Sequence, residues 1–181
     1  MQKKNNVDFS EVDWQKIDME KAKFIYNEAI ARLDSIHKNI EVVTNKAIRM
    51  LSFSVPILTA LVGYFILHPE KLSALPLFAA SVCAAIFLFV LLVLLLMILL
   101  PRGINSTHGE PSTYFKGNYY QKDTENIFKG NIQTLQQYIN EDISILNLRG
   151  NLLRAALILF GFFPVITFVV FWIAVSVCAA P

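Results

Sequence analysis

From about Asp18 to Met50 the apolar residues return at alternating steps of four and three: Ala22, Tyr26, Ala29, Leu33, Ile36, Ile40, Val43, Ala47 and Met50. This is a heptad seam held for about four heptads, the pattern of a helix that buries one narrow stripe. Lys21, Glu28, Arg32, Asp34, Lys38, Glu41 and Lys46 occupy the other faces, and neither glycine nor proline interrupts the run. The seam fits an amphipathic helix within an ordinary bundle. It equally fits a helix that pairs with a second long helix, in the same chain or in a neighbouring copy.

The alternation then stops and the chain becomes continuously apolar. Met50 to Leu67 and Ser73 to Leu100 carry no charged residue, and the second of these runs through Ala84-Ala85-Ile86-Phe87 to Leu99-Leu100. A helix needs about 20 apolar residues to cross a bilayer, so both stretches read as spans, joined by the polar turn His68-Pro69-Glu70-Lys71-Leu72. No turn separates the first span from the seam, so residues 18–67 are expected to form one rod, with Pro56 as its kink. Pro101-Arg102-Gly103 ends the second span, since proline cannot continue a helix. Within that span, Ala80/Ala84 and Ser81/Ala85 are small pairs at a spacing that lets helices approach closely.

A loop follows, punctuated by Gly103, Gly109, Pro111 and Gly117 and rich in tyrosine. From about Lys122 to Arg154 helical spacing returns through Ile132, Leu135, Ile139, Ile143, Leu146 and Leu153. Ala155 to Pro181 is again free of charge. It is expected to be a third span, or a re-entrant segment broken at Gly161 and Pro164. The expected organisation is therefore a polar tail (1–17), an amphipathic helix (18–50), an apolar hairpin (51–100), a polar loop and helix (101–154) and a third apolar helix (155–181). The fold class is all-α: an integral membrane protein whose two long polar helices pack as an antiparallel pair or bundle.

Composition agrees. The chain is 55% hydrophobic with a mean hydropathy of +0.48, too apolar for a water-soluble domain of 181 residues. A net charge of +2 does not call for a nucleic-acid partner. The cysteines, Cys83 and Cys178, both lie in apolar stretches, which argues against a disulfide framework or a zinc site, and no cofactor is implied. No apolar run precedes residue 50, so no cleavable leader is expected. Lysine and arginine are distributed unequally. Nine precede the first span, one (Lys71) lies in the hairpin turn, six lie between the second and third spans, and none follows. The basic excess marks the cytoplasmic side, so the N-terminus and residues 101–154 are expected there and the C-terminus outside.

Candidate chemistry is sparse. The spans hold no Asp, Glu, Lys, Arg or His between their ends, which argues against a pump or a secondary transporter. Arg32 precedes His37 with four residues between, and Arg102 precedes His108 with five. An Arg-x(4–6)-His pair is the ribonuclease signature of the HEPN superfamily, although Arg32 and His37 lie about 140° apart on a helix. Tyr114, Phe115, Lys116, Tyr119 and Tyr120 combine aromatic stacking surface with a cation, which suits a cyclic-nucleotide pocket or the membrane–water interface.

The arrangement as a whole resembles small membrane effectors of bacterial antiphage defence, in outline the transmembrane effectors of Pycsar systems. The residues that carry the likeness are Asn45-Lys46-Ala47 before the first span, Pro101-Arg102 after the second, and the run from Asn147-Leu148-Arg149 to Arg154-Ala155 before the third. The likeness covers about residues 20–178. The chain is also similar in size to the accessory membrane proteins of type VI-B CRISPR systems. There Arg32/His37 or Arg102/His108 would stand for a divergent HEPN-like motif. Both resemblances imply a non-enzymatic protein of the bacterial inner membrane that forms a homo-oligomer and impairs the bilayer during infection. A cyclic nucleotide or a CRISPR effector would be the trigger, with no direct nucleic-acid binding. A membrane-tethered ribonuclease and a passive membrane scaffold are the alternatives.

Overall fold

The computed structural model describes residues 12–13, 16–67, 75–101, 103–105 and 124–179. Their secondary structure is helical: α1 (Met19–Leu67), α2 (Leu75–Leu99) and α3 (Thr124–Ala179). At 1.5 Å per residue, the 49 residues of α1 and the 56 of α3 reach about 74 and 84 Å. Both far exceed the roughly 30 Å of a bilayer's hydrocarbon core. All three helices are long and apolar enough to cross a membrane.

Local chemistry sets the helix ends. Asp18 precedes α1 and its Oδ1 accepts the Lys21 backbone N–H at 2.8 Å, which satisfies one of the free donors of the first turn. That bond, followed by the Lys21 side chain, holds the Asp18 carboxyl below the usual aspartate range. α2 opens with Pro76 in its first turn, where the missing N–H has no helical partner to lose. It stops at Leu99, just before Leu100-Pro101, because the residue before a proline is driven out of helical geometry. α1 passes through Pro56 and α3 through Gly161 and Pro164, so the third apolar segment belongs to one continuous helix with residues 124–154.

The chain divides into two compact units. Unit 1 holds residues up to Asn39 together with Gly103–Leu146, and unit 2 holds Ile40–Arg102 with Asn147–Pro181. In unit 1, Ala22, Leu33 and Ile36 of α1 and Ile132, Leu135 and Ile139 of α3 are buried. Tyr26 and Phe128 meet edge to face, with ring centroids 5.4 Å apart. In unit 2 the core is Ala47 of α1, Leu88, Leu91, Leu95 and Ile98 of α2, and Leu153 and Ala156 of α3.

The helix directions correct the expected antiparallel pair. In unit 1, Tyr26 meets Phe128 and His37 meets Asp142, so sequence number rises in the same sense along both helices. In unit 2, Arg149 reaches both Thr44 and Leu100, Phe87 lies against Phe163, and Leu61 and Ile66 share a groove with Phe78 and Ala85. There α2 runs opposite to both α1 and α3, which are parallel to each other. The cause is continuity. Each polar stretch leads without a break into its own apolar stretch, so helices whose apolar ends share one side must run in one direction, and α2 supplies the return.

Candidate functional site

The seam of α3 contains two members that are not apolar. Ile132, Leu135, Ile139, Asp142, Leu146, Arg149 and Leu153 follow unbroken steps of three and four, and Asp142 and Arg149 are both buried. A polar group buried in a helix seam is costly unless its hydrogen bonds are made, so its partners define a site.

In unit 1, Asp142 has no exposed surface. Its Oδ2 accepts from His37 Nε2 at 2.8 Å, and its Oδ1 accepts from Asn105 Nδ2 at 3.1 Å. The same Asn105 amide donates to Glu141 Oε2 at 3.0 Å, while Gln137 Nε2 donates to Glu141 Oε1 at 2.8 Å. The Gln137 bond first, and the Asn105 bond second, hold the Glu141 carboxyl below the usual glutamate range. One amide from the segment after α2 thus holds adjacent carboxylates of α3, and His37 joins one of them, Asp142, to α1. Asp142 also restrains the His37 ring, as the third group of a catalytic triad does. Arg32, however, is exposed on another face of α1, and no hydrogen bond or ion pair joins it to His37. Among the described residues, no group of three or more His, Cys, Asp or Glu side chains is placed to hold a metal ion.

In unit 2, the Arg149 guanidinium donates to Thr44 Oγ1 at 3.2 Å and to the Leu100 carbonyl at 3.3 Å. Thr44 in turn donates to the Ile40 carbonyl at 2.8 Å. The last turn of α2 has no basic residue of its own, so Arg149 brings a cation to the carbonyl end of that helix from α3.

The apolar parts of unit 2 offer almost no polar chemistry. Ser52, Ser54, Thr59, Ser81, Thr167 and Ser176 each donate to a backbone carbonyl four residues earlier in their own helix. Ala80 and Ala84 are buried. A groove of about 360 Å³ lies between α1 and α2, lined by Leu61, Val62, Ile66, Phe78, Ser81, Val82 and Ala85.

Of the seam positions read from the sequence, Ala22, Leu33, Ile36, Ile40, Ala47, Ile132, Leu135, Ile139 and Leu153 are buried, and Tyr26, Ala29, Val43, Met50, Ile143 and Leu146 are half-buried. Arg102, His108 and the cluster Tyr114, Phe115, Lys116, Tyr119 and Tyr120 lie outside the described residues, as do residues 1–11, Trp14 and the turn His68–Leu72. Asp142, Asn105, Thr44 and the buried role of Arg149 were missed. The signal for Asp142 and Arg149 was the unbroken three-four spacing through positions 142 and 149; spacing marked neither Asn105 nor Thr44. No protein-family model, curated protein or solved structure matches this chain.

Proposed function

We propose that this chain is a multi-pass protein of the bacterial inner membrane that self-associates and impairs the bilayer. The observation that carries the reading is the outward-facing apolar surface of the three long helices. The most apolar stretch of α3 has none of its residues buried within the chain, and Phe162, Phe168 and Trp172 are more than half exposed. Phe53 and Ile66 of α1 and Ile86 and Phe89 of α2 are also more than half exposed. Water-soluble monomers rarely leave apolar patches of more than a few hundred Å² uncovered, so in this reading lipid or neighbouring copies cover these faces. The proposed orientation puts residues 1–49 and 101–154 in the cytoplasm and the C-terminus in the periplasm, following the fifteen-to-one division of lysine and arginine.

The hydroxyls of Ser52, Ser54, Thr59, Ser81, Thr167 and Ser176 are used within their own helices, and three helices enclose no wide channel, so a conducting path needs several copies. The resemblance to antiphage membrane effectors supplies the setting: a cyclic nucleotide or a CRISPR effector would trigger assembly during infection. The test is a membrane-potential dye and a potassium-release assay on cells expressing the chain, with cross-linking of the membrane fraction. Depolarisation together with oligomers supports the proposal. Intact potential in cells that hold the protein in the membrane, or a monomer at every concentration, contradicts it. Ribonuclease action is the reading to separate from it: His37→Ala and His108→Ala leave depolarisation unchanged if the membrane is the target.

A further inference from the structure

The ends of the apolar segments in unit 2 carry a second pattern. Thr44 and Arg149 are in hydrogen-bond contact, at 3.2 Å, on helices that run in the same direction. Both helices rise 1.5 Å per residue, so Arg49 and Arg154, each five residues further on, stand at one height about 7.5 Å beyond that contact. Lys46 lies three residues before Arg49 on the same face of α1. All three side chains are exposed, and among the described residues none of them enters an ion pair. The only acidic residue described in unit 2 is Glu41, five positions before Lys46 and about 140° round the helix. Beyond Arg49 and Arg154, α1 and α3 have no further charge.

Three cations that pair with no described acidic residue thus stand at the height where polar helix gives way to apolar helix. They are mounted on helix surfaces rather than on loops. A solvated surface would be expected to mix signs. Here one sign is repeated where the phosphate layer of a leaflet would lie if the helices span. We propose that Lys46, Arg49 and Arg154 form a collar that binds the phosphate groups of anionic phospholipids in the leaflet on the polar-helix side. The proposal rests on the membrane-spanning reading above and adds to it a preference for lipid charge. Arginine suits the task because its planar fork takes two phosphate oxygens at once.

The test uses the full chain purified in neutral detergent, titrated with phosphatidylglycerol or with phosphatidylcholine of identical acyl chains, and read by native mass spectrometry. Each basic residue near an anionic surface contributes about fivefold in affinity, so wild type should prefer phosphatidylglycerol clearly and lose about fivefold per substitution. The variant K46Q/R49Q/R154Q should bind both lipids alike, whereas K46R/R49K/R154K, which keeps the charge, should retain the preference. Inorganic phosphate should not displace the lipid. Equal binding of both lipids by wild type, a preference that survives the triple Gln variant, or displacement by inorganic phosphate would each overturn the collar. Carbonate extraction of the same protein from membranes separates the underlying reading. Retention in the pellet without a lipid preference removes the collar alone, and release into the supernatant removes both.

Discussion

His37 Nε2 lies 2.8 Å from Asp142 Oδ2, and of this pair the carboxylate is fully enclosed while the imidazole side chain keeps 25% of its surface. The two sit 105 residues apart in sequence, the same separation as Thr44 and Arg149. A buried acceptor that loses its donor costs more than the bond itself contributed. His37→Ala should therefore destabilise the protein by about 1–3 kcal/mol. Replacing both groups, as in H37L/D142L, should restore most of that loss, because no carboxylate is then left enclosed and the Asn105 amide keeps Glu141 as acceptor. Thermal unfolding followed by circular dichroism in detergent checks both. A double variant as unstable as the sum of the single ones would mean that the pair is not a local unit.

Arg149 closes the carbonyl end of α2 and also holds Thr44. Arg149→Met keeps the length of the side chain but removes both bonds, and should cost about 2 kcal/mol, the worth of a hydrogen bond to a charged group. Arg149→Lys should recover part of this, since an ammonium reaches one acceptor more readily than two in a fixed fork. The same unfolding assay ranks the three proteins: wild type, then Lys, then Met.

Acid should weaken unit 1 in a way that can be assigned. The Glu141 carboxyl is held below its usual range by Gln137 and Asn105, and that of Asp18 by the Lys21 backbone and side chain. A carboxyl depressed in the folded state takes up its proton less readily there than in the unfolded chain. Its stabilisation is complete above the unfolded value and drains away as pH falls through the lower folded one. The variant D18N/E141Q should therefore show a flatter acid limb of stability against pH than wild type, with the neutral-pH limb parallel. Identical acid limbs would show that these carboxyls are not held as the structure places them.

Gly150 sits in the interior of α3, and a Cβ added there meets nothing within 4 Å. Gly150→Ala should raise stability by roughly 0.5–1 kcal/mol, the helix-interior cost of glycine relative to alanine. A fall instead would indicate that a neighbouring copy or lipid approaches the helix at this point. That outcome would be visible as a change in cross-linked oligomers.

The helical content of this chain was plain in its periodicity, and the reason is physical. An apolar side chain announces its face by spacing, and Ala22, Leu33, Ile36 and Ile40 sit on the buried face of α1. Asp142 and Arg149 did not announce theirs. A charged residue is ordinarily solvated, so the stripe was drawn through Ile143 in place of Asp142 and stepped over Arg149, although the three-four steps run through both. The direction of pairing was misread for a different reason. Stripes show which faces meet but not their sense; that follows from connectivity. Two helices that each continue into an apolar segment, with α2 as the return, leave only the parallel arrangement. Asn105 could not have been found from spacing, because it lies outside any helix and reaches α3 through the path of the chain after Pro101.

The central claim is that three helices cross the bilayer and leave the polar stretches of α1 and α3 on one side. It is tested most directly with single cysteines introduced at Lys38 and at Gln133, both exposed, in a background where Cys83 and Cys178 are serine. A membrane-impermeant maleimide is applied to right-side-out and to inverted vesicles. The account predicts that both positions are labelled in inverted vesicles and that neither is labelled in right-side-out ones. Labelling of the two positions from opposite sides would contradict it.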